Sequence, residues 1–285
     1  MNPSEKLDSE FKKYIQQPLL NWGLSEGALL IARQEYPELI PEKYFALIRE
    51  MARQARESLA GIPAREGKLE RLNRLFYEEW GFRGNEEDYY DPRNSYLPDV
   101  LDRRTGIPIT LSALYLETAW ASGLPLFGIN FPGHFLVAFK ESETDFERNL
   151  YIDAFNGGKI LGKSELQALL EKNGGKGSRL EPVTHLRNAG VRDILHRMLS
   201  NLKAIHASND RMERALWTAE WMLLLKPHDW DSLRDKGMFC YALGRLEEAE
   251  TALVEYLEKT KGSADYSRVW QVIYAIRAQN PLGMN

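Results

Sequence analysis

Only one cysteine, Cys240, occurs in 285 residues. That excludes an internal disulfide and any zinc site built from several thiolates. Histidine is scarce too, and His185, His196, His206 and His228 share no ligand spacing, so no metal is expected, and no cofactor. Long apolar runs are missing: "WMLLL" and "GALLIA" fall far short of the roughly 20 residues that cross a bilayer. Charge of one sign is missing as well. The 37 basic and 41 acidic residues leave a net charge of -4, which gives no overall electrostatic footprint for nucleic acid. The opening stretch "MNPSEKLDSEFKKY" has neither the apolar stretch of a secretory signal nor the acid-poor character of a transit peptide, so a cytoplasmic location is expected.

What is present falls into three segments. Residues 1–88 carry apolar positions at helical spacing, as in "EKYFALIREMARQARESLAGI", broken near Pro37, Pro41 and Gly61 to Pro63. Residues 89–188 change character: a polar, aromatic, turn-rich stretch, then a helix over 107–121, then short strands near 126–130, 134–139 and 149–155. In the helix, Ile109, Leu111, Leu114, Tyr115 and Thr118 are expected on the buried face. Residues 189–285 are helical and repeat. "DRMERALWTAEWMLLLKP" (210–227) superimposes on "GRLEEAETALVEYLEKTK" (244–261) at an offset of 34, the tetratricopeptide period, and a final helix is expected near 265–278.

Chemistry concentrates around "FPGHFLVAF" (131–139) and "YIDAF" (151–155). If the two strands pair across "KESETDFERN" with a register centred near 143.5, His134 faces Asp153 with Cβ atoms roughly 4.5 to 5.5 Å apart. A carboxylate at that position orients an imidazole and stabilises its charged form, which is what a general base requires.

The runs "NSYL", "TGIPITLS" and "FPGHFLV", together with "YIDAF", resemble the bacterial SirB family of transglutaminase-like proteins, which carry a tetratricopeptide tail. The resemblance covers most of the chain. It implies an α+β fold in three parts: a helical N-terminal segment, a papain-type core of a central helix on an antiparallel sheet, and helical repeats. It also implies a cysteine nucleophile at the start of the central helix, a histidine base on a strand and an orienting aspartate on the next; His134 and Asp153 take the last two places. The cysteine position falls at or near Pro108, which has no nucleophile, and Cys240 lies in the repeats.

Two hydroxyls, Thr110 and Ser112, stand in the first turns of the same helix and are the remaining nucleophile candidates. Asn94, Asn130 and Asn156 are candidate binding residues around the same sheet end. The expected function is therefore a regulatory or protein-binding one, with a protein or peptide partner held by the repeat tail. Trp217, Trp221, Trp230 and Tyr241 would mark that surface if exposed. The alternative is a hydrolase or acyl-transferase using Ser112 or Thr110 with His134 and Asp153. A small-molecule ligand is compatible with either. Lys172, Lys176, Arg179, Arg187 and Arg192 cluster in sequence without the spacing of a phosphate-binding loop, and nucleic acid is not expected as a partner.

Overall fold

The computed structural model describes residues 3–142, 145–175 and 177–279, and it divides into two compact units, Met1–Met198 and Leu199–Asn285. The first unit opens with helices α1 (Pro3–Gln16), α2 (Leu24–Arg33), α3 (Pro41–Leu59) and α4 (Arg65–Asn73). Proline at the first position of α3 needs no N–H there, and its fixed φ suits a helix start. From α4 the chain continues into a π-helical stretch, Arg74–Glu79. Strand β1 (Arg83–Gly84) then pairs in parallel with β2 (Thr105–Gly106), on either side of α5 (Leu97–Arg103).

Helix α6 (Pro108–Ala121) is the centre of this unit. The expected buried face proves too narrow an expectation. Every residue from Pro108 to Leu116 is buried, with Thr118 and Ala119, because α6 packs on α3, β3 and β4 at once. A helix apolar nearly all round is a buried helix. Glu117 is an exception with a use: its carboxylate accepts the backbone N–H of Ser25 at 2.7 Å, serving one of the free donors in the first turn of α2.

Four strands follow, β3 (Leu126–Ile129), β4 (Leu136–Phe139), β5 (Leu150–Asp153) and β6 (Lys159–Leu161). Helices α7 (Lys163–Gly174) and α8 (Pro182–His185) and strand β7 (Asn188–Ala189) come next. The sheet is antiparallel throughout in the order β6-β5-β4-β3-β7. One face of it, formed by Ile129, Leu136, Ala138, Tyr151 and Leu161, packs with Leu166 and Leu170 of α7. The fold is thus α+β with a central helix and a five-stranded sheet.

Helix α9 (Val191–Ser208) begins in the first unit and ends in the second. The second unit continues with α10 (Met212–Leu225), α11 (Trp230–Ala242), α12 (Leu246–Lys259) and α13 (Tyr266–Gln279). Helices α10 and α12 start 34 positions apart and have the same length, as the internal repeat requires. The helix expected at the end is α13, and it packs on α12 as the second member of the second hairpin. Ala215 and Ala249 are buried at equivalent places, where a larger side chain would separate the helices. No helix among the described residues is long and apolar enough to cross a membrane.

Candidate functional site

The register of β4 and β5 differs from the expected one. Val137 faces Ile152 and Phe139 faces Leu150, so the pairing is centred near 144.5 and Asp153 falls opposite Leu136. His134 precedes β4 and is not part of it. The reason is the turn at Pro132-Gly133: Gly133 adopts φ 65°, and the His134 N–H is spent on the Phe131 carbonyl at 3.0 Å, not on the ladder. A Cβ on Gly133 would also lie 2.7 Å from Cβ of Asn173 in α7, so only glycine fits this turn.

The two side chains nevertheless meet. A two-residue change of register preserves the face of the sheet, and the diagonal neighbour of a strand residue remains within reach of a long side chain. Nε2 of His134 lies 2.9 Å from Oδ1 of Asp153, and both residues are buried. Asp153 is held further by Asn156, whose Nδ2 donates to Oδ2 at 2.7 Å and whose backbone N–H donates to Oδ1 at 3.2 Å; the Phe155 N–H donates to Oδ1 at 3.0 Å. Burial alone would raise the Asp153 pKa. The bond and charge of His134 and the bonds from Asn156 outweigh burial and hold it below the ordinary carboxylate range. Asp153 is therefore ionised at neutral pH and fixes the imidazole through Nε2, leaving Nδ1 as the nitrogen for any further partner.

The turn after β5 is locked from the helical side. The Tyr77 hydroxyl, in the π-helical stretch, donates to the Ala154 carbonyl at 2.9 Å. Asn73 donates to the Gly158 carbonyl at 3.1 Å and accepts from the Tyr115 hydroxyl of α6 at 2.8 Å. Gly158, at φ 73°, approaches Asn73 so closely that a Cβ would collide with its side chain. The wider π turn is a local departure from α-helix of a kind often found near functional sites.

At the start of α6 stands Pro108. Thr110 is buried and its hydroxyl is committed to backbone: it donates to the Asn94 carbonyl at 2.7 Å, with the Ile107 carbonyl at 3.2 Å, and accepts the Ile107 N–H at 3.1 Å. That reciprocal bond from the third helical position is half of a capping box. Ser112 is buried as well, and its Oγ has no hydrogen-bond partner among the described residues. Neither hydroxyl is bonded to His134. Asn94 is a loop staple, donating to the Asp88 carbonyl at 2.7 Å and accepting from Asn85 at 3.0 Å. Asn130, exposed just past the end of β3, accepts from Arg197 of α9 at 3.5 Å.

Cys240 is buried on α11, and burial, the largest influence, pushes its thiol upward. Of the aromatic residues expected on the repeat surface, Trp221 is buried and Trp217, Trp230 and Tyr241 are half-buried. Exposed instead are Tyr266 and Tyr274 on α13, flanking Trp270. Of the basic cluster, Lys172, Arg179 and Arg187 are exposed, Arg192 stacks on Trp22 at 5.2 Å, and Lys176 lies outside the described residues. No group of three or more acidic, histidine or cysteine side chains among the described residues is placed to hold a metal. A cavity of about 870 Å³ near Phe146, Leu161, Leu166 and Leu186 includes neither His134 nor Asp153.

Comparison with known proteins bears on this arrangement. The profile of the Transglutaminase-like superfamily matches residues 42–200, and that of the Tetratricopeptide repeat matches 202–273. The chain belongs to the transglutaminase-like superfamily. It is 38% identical to a UPF0162 protein of Xylella fastidiosa (strain Temecula1) over 82% of this chain and 83% of that one. It is 34% identical to a UPF0162 protein of Vibrio cholerae over the same shares. A stretch covering 70% of this chain is 30% identical to human F-box only protein 21, spanning 35% of that protein. In this transglutaminase-like chain, Tyr77, Tyr115, Asn73 and Phe155 also support the dyad or its turn, and the sequence signalled no such role for any of them. They sit on helices and loops far apart in sequence, with only an apolar or charged periodicity to read.

Proposed function

We propose that this is a non-catalytic, regulatory or protein-binding member of the transglutaminase-like superfamily, of the narrower SirB type and acting in the cytoplasm. The observation that carries the reading is the start of α6: Pro108 stands where the resemblance places a thiol, while His134 and Asp153 keep their hydrogen bond. A base without a group to deprotonate stores no reactivity. The helical segment 1–88 supports the core through α3 packed on α6 and through Asn73 and Tyr77 at the β5 turn. The partner is a protein or peptide held by the repeat tail, and the face of α13 bearing Tyr266, Trp270 and Tyr274 offers aromatic anchors of the kind that dominate such contacts.

One observation favours a second reading, a hydrolase or acyl-transferase. The Ser112 hydroxyl is buried without a partner, and an orphaned polar group of this kind needs an explanation. A comparison of the full chain with His134→Ala on an activated ester and an amide separates the two. The proposal expects identical background rates; turnover that depends on His134 would transfer the assignment to the hydrolase.

A further inference from the structure

Across the Pro132-Gly133 turn from His134 stands a cation with no anion among the described residues. Arg197 is half-buried on α9, and among the described residues no carboxylate pairs with it. Loss of solvent, the largest influence, lowers its pKa, and the other influence on it is Tyr89. Its one hydrogen bond among the described residues, Nη1 to Oδ1 of Asn130, is long at 3.5 Å and goes to a neutral group. Removing a guanidinium from water without a counter-charge is costly, so such a group is expected where a ligand completes it.

The surroundings tie Arg197 to the dyad. Asn130 is four residues before His134, on the far side of the Pro132-Gly133 turn. Tyr89, whose hydroxyl feels the Arg197 charge, packs edge-on against Phe155 with ring centroids 6.0 Å apart. Phe155 in turn meets the His134 ring edge-on at 6.2 Å, and its own N–H is bonded to Asp153. Two ring contacts, Tyr89 to Phe155 and Phe155 to His134, thus connect the dyad to a neighbourhood that holds one fixed positive charge, a phenol and a carboxamide.

We propose that Arg197, Tyr89 and Asn130 form a subsite for a carboxylate, seated beside the His134–Asp153 pair. A planar guanidinium matches a carboxylate with two parallel bonds, and Asn130, while holding the guanidinium through Oδ1, keeps its Nδ2 protons for the ligand. One unit of positive charge with neutral donors neutralises a monoanion; a phosphate dianion would remain half uncompensated in a partly desolvated site. The ligand class is an acylated amino acid or peptide carboxylate, whose amide would lie toward His134. This goes beyond the repeat-tail reading: it concerns the first unit and is independent of whether any bond is made or broken.

The test is a titration of the full chain with N-acetylglycine, N-acetylglycinamide and inorganic phosphate, followed by the side-chain NMR signals of arginine and the ring signals of tyrosine and histidine. Acetylglycine is expected to move the Arg197 Nε–H and Tyr89 signals saturably, the amide is expected to move neither, and Arg197→Met is expected to weaken binding at least tenfold while the His134 ring signals stay in place. Equal binding of acid and amide, or undiminished binding to Arg197→Met, overturns the proposal. Saturation by phosphate in preference to acetylglycine overturns the carboxylate assignment. Should Arg197→Met fail to fold, Tyr89→Phe decides: a several-fold loss of acetylglycine affinity is expected, and unchanged affinity overturns the subsite.

Discussion

Asp153 accepts one side-chain bond from His134, one from Asn156 and two backbone N–H bonds, all while buried. Its folded pKa lies below the ordinary carboxylate value, so the folded state binds fewer protons here than the unfolded chain does. The stability this contributes is present above the unfolded pKa of about 3.9 and is lost as pH falls through the lower folded value. Asp153→Asn is expected to cost about 1 to 3 kcal/mol at pH 7, because the buried imidazole loses a charged partner. The difference from the unaltered chain should shrink as pH falls below about 4 and through the lower folded value, where Asp153 itself takes up a proton. Urea unfolding at pH 7, 5 and 3 checks it; a difference constant across that range would mean that the Asp153 charge contributes nothing. At this scale the sequence was informative about identity and poor about commitment. His134 and Asp153 could be paired from two short strands, but nothing in "TGIPITLS" tells that Thr110 serves the backbone of Asn94 and Ile107 while Ser112 serves nothing.

Elements were legible where periodicity is strong and boundaries less so. The helix over 107–121 is α6, and the 34-residue offset reappears as two helices of equal length, because a repeated sequence folds into a repeated hairpin. The strands were misplaced at their ends. The strand expected over 134–139 starts only at Leu136, since Gly133 takes a left-handed turn that consumes the His134 N–H, and the register moves by two residues. Strands β6 and β7, of three and two residues, are too short to have a pattern. Close helix contact in the repeats depends on one residue that composition does not single out. Gly237 of α11 faces α12, and a Cβ there would lie 2.6 Å from Cγ of the buried Leu253. Gly237→Ala gains helix propensity of at most about 1 kcal/mol. Overpacking is expected to cost about 1 to 3 kcal/mol and to prevail, since Leu253 has no room to retreat. Thermal unfolding of the variant would show a lowered midpoint; a raised one would mean that α11 and α12 can separate at no cost.

At the scale of the molecule, the first unit encloses its dyad with support from every layer: the π-helical stretch through Tyr77, α4 through Asn73, α6 through Tyr115 and the β5 turn through Asn156. Such convergence was not readable in advance, because Tyr77, Asn73 and Tyr115 enter it by single hydrogen bonds that span 77, 85 and 42 positions. The second unit carries the one cysteine in its interior, where burial raises its thiol pKa. The central claim is that the dyad has no nucleophile to serve. Exposing the full chain to a fluorophosphonate, which modifies serine or threonine hydroxyls activated by a neighbouring histidine, and weighing the intact protein tests this directly. The account predicts no added mass at neutral pH, with His134→Ala indistinguishable; a stoichiometric adduct on Ser112 or Thr110 that disappears in His134→Ala would contradict it.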